Sequence, residues 1–135
     1  MRDCEQVLVE KLEDAPPHAR NLACMPMSQV NVLVIHIRAD QAEAYEKLFE
    51  EQELPRWRDY HARGLFQSAR LFRSQFGTDE RQDVAKYVIV VEVPSMAEHH
   101  AHDADPDFQR FDQLVDPLQP EPPLVYGGDL IHSVG

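Results

Sequence analysis

The stretch EHHAHDADPD (98–107) puts three histidines and four carboxylates into ten positions, residue types that bind divalent metals or move protons. On a helix His99 and His102 (i, i+3), and Glu98 and His102 (i, i+4), share a face. The run nevertheless falls between two helix-start signals, Ser95 with Glu98 and Asp105 with Pro106, so its histidines and acids read as solvated surface and caps. No metal or other cofactor is expected. A sharper pair is His36 and Glu92. His36 stands four residues before Asp40, Glu92 three before Ser95, each at the end of a strand-like run and in phase with valines (Val32 and Val34; Val88 and Val90). An imidazole and a carboxylate side by side among valines would form an oriented general base, able to take a proton from a phenolic or activated C–H substrate. The competing role is a satisfied structural pair or a solvated strand end. Trp57, Tyr60 and Tyr87 are candidates to wall an aromatic pocket, with Arg70 as its polar contact. For Trp57, three residues before Tyr60 on a helix, core packing is the competing role.

The elements that must position these residues follow from periodicity. VNVLVIHIR (30–38) and AKYVIVVEV (85–93) are short, β-branched and apolar, as buried strands are. Asp40 followed by Glu43 is a capping-box signature, and the helix beyond it buries Ala42, Tyr45, Leu48 and Phe49. Pro55 should kink or restart that helix, and Gly64 should cap it. LFQSARLFRSQF (65–76) reads as a strand joined to the third strand through GTDERQD (77–83). Phe108, Phe111, Val115 and Leu118 recur at helical spacing, and DPLQPEPP (116–123) ends that helix as an extended linker. LVYGGDLIHSV (124–134) is the last strand, with Gly127-Gly128 marking a bulge or a close backbone approach.

The order β-α-β-β-α-β gives an α+β, ferredoxin-like fold: a four-stranded antiparallel sheet with two helices on one face. The first and third strands are expected at its centre, running parallel through right-handed crossovers, which would bring His36 and Glu92 to one sheet end. Both central strands are apolar at nearly every position, so both sheet faces should be covered. Two helices cover one face, and a second copy of the chain is the expected cover for the other, a homodimer through sheet faces.

The chain's 135 residues suit one domain, placed at 30–135, behind a weakly structured N-terminal extension (1–29) with a possible short helix over 3–14. Cys4 and Cys24 both fall in that extension and form neither a CxxC nor a disulfide framework. A net charge of −11 argues against nucleic acid and anionic membrane as partners, although a patch from Arg56, Arg58, Arg63, Arg70 and Arg73 would suit an anionic small molecule. No apolar run is long enough to span a bilayer, and charges and prolines break the N-terminus where a secretory core would lie. A cytoplasmic setting is therefore expected. No GxGxxG, P-loop or flavin fingerprint points to a nucleotide cofactor.

EEQELPRWRDYHARGLFQSARLFR (50–73) resembles the part of EthD-like sequences in which a kinked helix reaches a glycine and then a strand rich in arginine and aromatics. YVIVVEVPSMAEHHAHDADPDFQRF (87–111) resembles their third strand and second helix. Over about residues 30–133 the chain is similar to the dimeric α+β-barrel superfamily, which includes the antibiotic-biosynthesis monooxygenase and EthD-like groups. The resemblance implies a dimeric α+β barrel that binds an apolar or aromatic small molecule. It also implies cofactor-free monooxygenase or proton-transfer chemistry, for which His36 and Glu92, paired by the expected topology, are the acid/base candidates. Glu53 stands where EthD-like sequences often carry histidine. Glu92 and a residue near Asp112 stand where haem-degrading members carry tryptophan and histidine, which disfavours haem degradation. The rival is a non-catalytic ligand-binding or stress-response dimer whose polar residues serve only stability. An open pocket with His36 touching Glu92 favours the first, and a pocket filled by Trp57 and phenylalanines favours the second.

Overall fold

The computed structural model describes residues 28–135. Apart from Ser28 and Gln29, the expected extension at 1–29, with its cysteines and the helix over 3–14, lies outside the described residues. Gln29 itself opens the first strand, β1 (Gln29–Arg38), whose β-branched run pairs along its whole length with β3 (Val84–Val93). The edges are β2 (Ser68–Arg73), beside β3, and β4 (Leu124–Asp129), beside β1. The order is β2-β3-β1-β4 and every pairing is antiparallel, so the α+β class and the central β1–β3 pair are as expected.

Their direction is not. β1 and β3 are antiparallel neighbours, because the crossover rule governs the pair joined through helices, β1 and β2, whereas the short connection after β2 reverses the chain into β3. The reversal separates the expected acid/base pair. His36 faces Lys86 across the ladder and Glu92 faces Val30; six residues of strand, about 20 Å, lie between them.

Between β1 and β2 the chain runs through a tight turn (Ala39–Gln41), α1 (Ala42–Leu48), a wide π turn (Phe49–Glu53) and α2 (Leu54–Ala62). Between β3 and β4 it forms α3 (Met96–Asp103), α4 (Pro106–Val115) and a short turn over Asp116–Leu118. Two of the three expected start signals work as read: Ser95 Oγ accepts from the Ala97 amide, and Asp105 Oδ1 from the Asp107 amide. The Asp40 capping box does not form, because a 3₁₀ turn carries the chain into α1 with no side-chain cap. Gly64 closes α2 at φ +76°, the left-handed conformation that glycine adopts without strain. Among the described residues no helix is long and apolar enough to cross a membrane.

Strand alternation splits the sheet into two faces. Leu33, Ile35, Ile89, Val91 and Val93 point toward the helices and build the core with Tyr45, Phe49, Trp57 and Phe111. Val30, Val32, Val34, Val88 and Val90 take the opposite face with Phe72, Leu124 and Tyr126, the last three about half exposed or more. On the helix side, the expected close approach at Gly127 is present: a Cβ there would lie 2.8 Å from Asn31 Oδ1, so the glycine makes room for a buried amide.

Replacing Ser95 with alanine removes a working cap and should lower stability by about 1 kcal/mol. Asp40→Ala should stay within about 0.5 kcal/mol of the parent. Urea midpoints at unchanged slope check both, and an equal loss from the two would contradict the cap assignment.

Candidate functional site

Positions 45, 49, 53 and 57 are spaced by four, and Tyr45, Phe49, Glu53 and Trp57 are all buried. A regular helix at 3.6 residues per turn drifts about 40° with each such step, so a straight helix would rotate the last of them away from the sheet. The π turn absorbs the drift. The Leu54 amide bonds back to the Phe49 carbonyl, five residues earlier, and Pro55, with no N–H to give, starts the next helix at its first turn. π turns recur at functional sites. Here the turn carries a carboxylate, Glu53, into the core at 2% exposure.

Arg56 meets it. Its Nη2 donates to Glu53 Oε1 and to His102 Nε2, the latter at 2.8 Å, while Nη1 lies 3.5 Å from Asp105 Oδ2. The guanidinium lies between the rings of Tyr60 and Phe108, 5.0 and 5.3 Å from their centroids, a favourable cation–π placement. Tyr60 donates to Asp105 Oδ2 at 2.6 Å, so one aspartate caps α4, holds Tyr60 and faces the guanidinium. Because a guanidinium only donates, His102 Nε2 accepts, and the neutral ring turns its Nδ1 proton toward Asp103 Oδ1 at 3.2 Å. Burial, then the Arg56 charge, holds His102 below the ordinary imidazole value, against Asp103. Burial pushes the Glu53 carboxyl up despite Arg56, and Asp105 and Asp112 push the same way.

This network borders a cavity of about 330 Å³ between helices and sheet, within the range of small-ligand sites. Its walls are mostly apolar, with Leu33, Ile35, Trp57, Phe66, Val91 and Phe111 among them. The polar side chains on the wall include Asn31, Tyr45, Glu53, Arg56 and Gln119, with His99, His102, Asp103 and Asp112 also on the lining. Glu53 Oε2, the Tyr45 hydroxyl, Gln119 Oε1, and Arg56 Nε and Nη1 are buried there without hydrogen-bond partners. Unpaired polar groups of this kind are unfavourable in a finished core and point to a role. A larger, more open depression of about 540 Å³ lies over the β2–β3 connection. Its cations, Arg73, Arg81 and Lys86, are already engaged by Glu46, by Asp83 with Glu121, and by Asp79, so it offers no free chemistry.

The residues singled out from sequence scatter. Trp57 lines the cavity. Tyr60 belongs to the Arg56 network, and Tyr87 is core, with its hydroxyl donated to Glu46 and pushed up to about 12 by burial and that carboxylate. Arg70 is exposed on the face away from the helices. His36 is buried there beside Lys86, with Nδ1 unpartnered. The five arginines form no patch: Arg56 is internal, Arg63 pairs with Asp59 and Arg73 with Glu46. The histidine cluster divides. His100 is exposed, whereas the His102 side chain is 16% exposed and packs against Phe66 and Phe108, and His99, His102 and Asp103 border the cavity, so the surface reading fails for His102. Among the described residues no three His, Cys, Asp or Glu side chains gather as a metal site.

No protein-family model matches the chain, and no curated protein sequence does. Solved structures do match. A chain from Caulobacter crescentus CB15 assigned as an antibiotic biosynthesis monooxygenase superposes at TM-score 0.65 and 19% identity, over 85% of this chain and 99% of that one. One of the same assignment from Nitrosomonas europaea gives 0.65 and 13%, over 82% and 96%. A dimeric ferredoxin-like protein of unknown function from Thermobifida fusca gives 0.56 and 10%, over 78% and 92%. The fold is ferredoxin-like. At these identities the likeness carries the fold alone, and the chemistry has to come from the cavity.

An imidazole that holds its proton less tightly folded than unfolded sheds it on folding. His102 should therefore make stability rise with pH up to the ordinary value of 6.5 and leave it flat above. His102→Gln keeps an acceptor for Arg56 but does not titrate. The stability of the parent relative to this variant should improve between about pH 5.5 and about pH 7.5, and a pH-independent difference in urea midpoint would contradict the burial of a neutral ring.

Proposed function

We propose that the protein is a homodimeric α+β barrel that binds an apolar or aromatic metabolite in the helix–sheet cavity, and that Glu53 is the group placed to exchange a proton with it. The observation that carries this reading is the Glu53 carboxylate, 2% exposed, with Oε2 unpartnered on the cavity wall. Arg56 holds Oε1 and leaves Oε2 for a ligand. A carboxyl whose proton affinity is raised by burial is a better base than one in water, and its value moves toward neutral pH, where general-base catalysis is most effective. Taking the proton of a phenolic hydroxyl onto Oε2 would leave an electron-rich anion, the species a cofactor-free monooxygenase of the EthD-like kind presents to molecular oxygen. His36 and Glu92 do not fill this role together, since the antiparallel register parts them.

The engagement of Glu53 by Arg56 also favours a second reading, a non-catalytic ligand-binding dimer in which the pair only orients the ligand. The two readings differ in whether Glu53→Gln abolishes turnover or only weakens binding.

Dimerisation rests on the other sheet face. Five valines with Phe72, Leu124 and Tyr126 make a continuous apolar surface, and an isologous partner would bury it. That the Thermobifida fusca neighbour is a dimeric ferredoxin-like protein is in keeping with dimerisation as such.

Trp57 is the chain's one tryptophan and lines the cavity, so it reports on occupancy. 4-Nitrophenol should quench its emission saturably, and Glu53→Gln should weaken that binding about tenfold, the loss of one buried charge-assisted hydrogen bond. Quenching that never saturates, or is unchanged in the variant, would sink the assignment. Independently, Phe72→Glu with Tyr126→Glu should convert the sedimenting species from dimer to monomer with an unchanged circular dichroism spectrum; a parent that sediments as a monomer rules out the dimer.

A further inference from the structure

The cavity wall has a sign. Glu53 lines it and Asp105 stands beside Arg56, two carboxylates against one guanidinium, and Asp112 adds a third, solvent-exposed one on the lining. Asp103 also borders the space, but it is half exposed and in contact with His99 and His102, so it decides little. His102 adds no positive charge, because its Nε2 accepts from Arg56. The charge of Arg56 is balanced by carboxylates: Nη2 is divided between Glu53 and His102, and Nη1 lies 3.5 Å from Asp105 Oδ2 without a hydrogen bond. The Arg56 Nε and Nη1 have no hydrogen-bond partner, but an anion bound to them would sit beside Glu53 and Asp105, and like charges at short range in a poorly solvated site repel strongly. Outside Arg56, the unpartnered atoms on the wall lean the same way: Glu53 Oε2 and Gln119 Oε1 can only accept as a carboxylate and an amide oxygen, and the Tyr45 hydroxyl can accept as well as donate.

We infer that the cavity selects ligands by charge, taking an aromatic body whose polar end is a hydrogen-bond donor, a protonated amine or a hydroxyl, and rejecting carboxylates and phosphates. This rests on the cavity being the ligand site proposed above and adds the class of ligand it accepts. The donor sits at Glu53 Oε2 with the aromatic body between Trp57 and Phe111, and the acids around it supply the preference. Glu53 is thereby a specificity-determining residue as well as a proton acceptor. An arginine in a pocket is commonly the contact for an anion; here its own neighbours have already neutralised it.

Titration calorimetry of the full chain with three naphthalene probes tests the rule: 1-naphthylmethylamine (a cation at neutral pH), 1-naphthalenemethanol (a neutral donor) and 1-naphthoate (an anion). The amine and the alcohol should bind, with the naphthoate weaker than the amine by about tenfold or more. Because apolar walls alone disfavour any charge, the decisive readout is the variants. Glu53→Gln should weaken the amine and strengthen the naphthoate, narrowing the ratio by about tenfold, and Asp112→Asn, less buried and safer for folding, should narrow it in the same direction by less. Naphthoate binding as tightly as the amine, or a ratio unchanged in both variants, would overturn the charge rule while leaving the cavity a ligand site. Failure of all three probes to bind would overturn the site itself.

Discussion

The contact between the Arg56 guanidinium and the Glu53 carboxylate, closed off from water between the two helical arms, is the interaction on which the upper layer of the molecule depends. Removing both ions from water is unfavourable by several kcal/mol each, and the pair is stable only if further hydrogen bonds absorb the remaining charge. The chain supplies them from the opposite arm. His102 comes from α3, Asp105 from the start of α4, and Phe108 covers the guanidinium from the first turn of α4. The same charge that would destabilise a core thus fastens α2 to α3 and α4, alongside the Tyr60–Asp105 hydrogen bond across the same seam.

That contact follows from a backbone detail. Without the π turn the fourfold spacing of Tyr45, Phe49, Glu53 and Trp57 would drift around the helix, and Glu53 would leave the face it now shares with Trp57. The turn is enforced by Pro55, which cannot continue the hydrogen-bond ladder of the preceding helix. A proline, a widened turn and a buried acid are three views of one event, and the cavity lies beneath it. The floor is shaped similarly: Gly127 on β4 leaves space for the Asn31 amide, so the apolar sheet carries one polar group under the cavity.

Signals that act within a few residues were legible in the sequence. Ser95 and Asp105 cap as read, since each hydroxyl or carboxylate reaches an amide two positions on, and the near-continuous apolar runs marked the two central strands. Asp40 had the same signature and failed, because a 3₁₀ turn occupies the place of the first α-helical turn. Relations between distant segments were harder. The direction of β3 relative to β1 depends on which strands a crossover joins, and a parallel assignment placed His36 beside Glu92 when the ladder sets them at opposite ends. The site itself was nearly invisible. Glu53 and Arg56 stand three apart, the spacing of an ordinary surface ion pair, and only Pro55 hinted that their face turns inward. His102 lay among charges that made it read as solvent-facing, and its burial is decided by aromatic residues from three other segments, Tyr60, Phe66 and Phe108.

The orphaned Oε2 of Glu53 separates a structural explanation of the network from a functional one. A buried ion pair kept for stability alone would be expected to satisfy both carboxylate oxygens, since a half-satisfied polar network is worse than an apolar core of the same volume. This network satisfies one oxygen and leaves the other on a cavity that a few larger side chains would have filled. The strand positions beneath it are valine, isoleucine, leucine and asparagine rather than phenylalanine or tryptophan, so the space is a consequence of residue choice. Sequences depart from local consistency chiefly where function requires it, and here the departures coincide: a π turn, an unpaired carboxylate oxygen and an unfilled apolar volume meet at one residue. A ligand that donates to Oε2 and fills the volume satisfies both deficits at once, which is why the cavity, rather than the strand ends at His36 and Glu92, is the place where this fold can do chemistry.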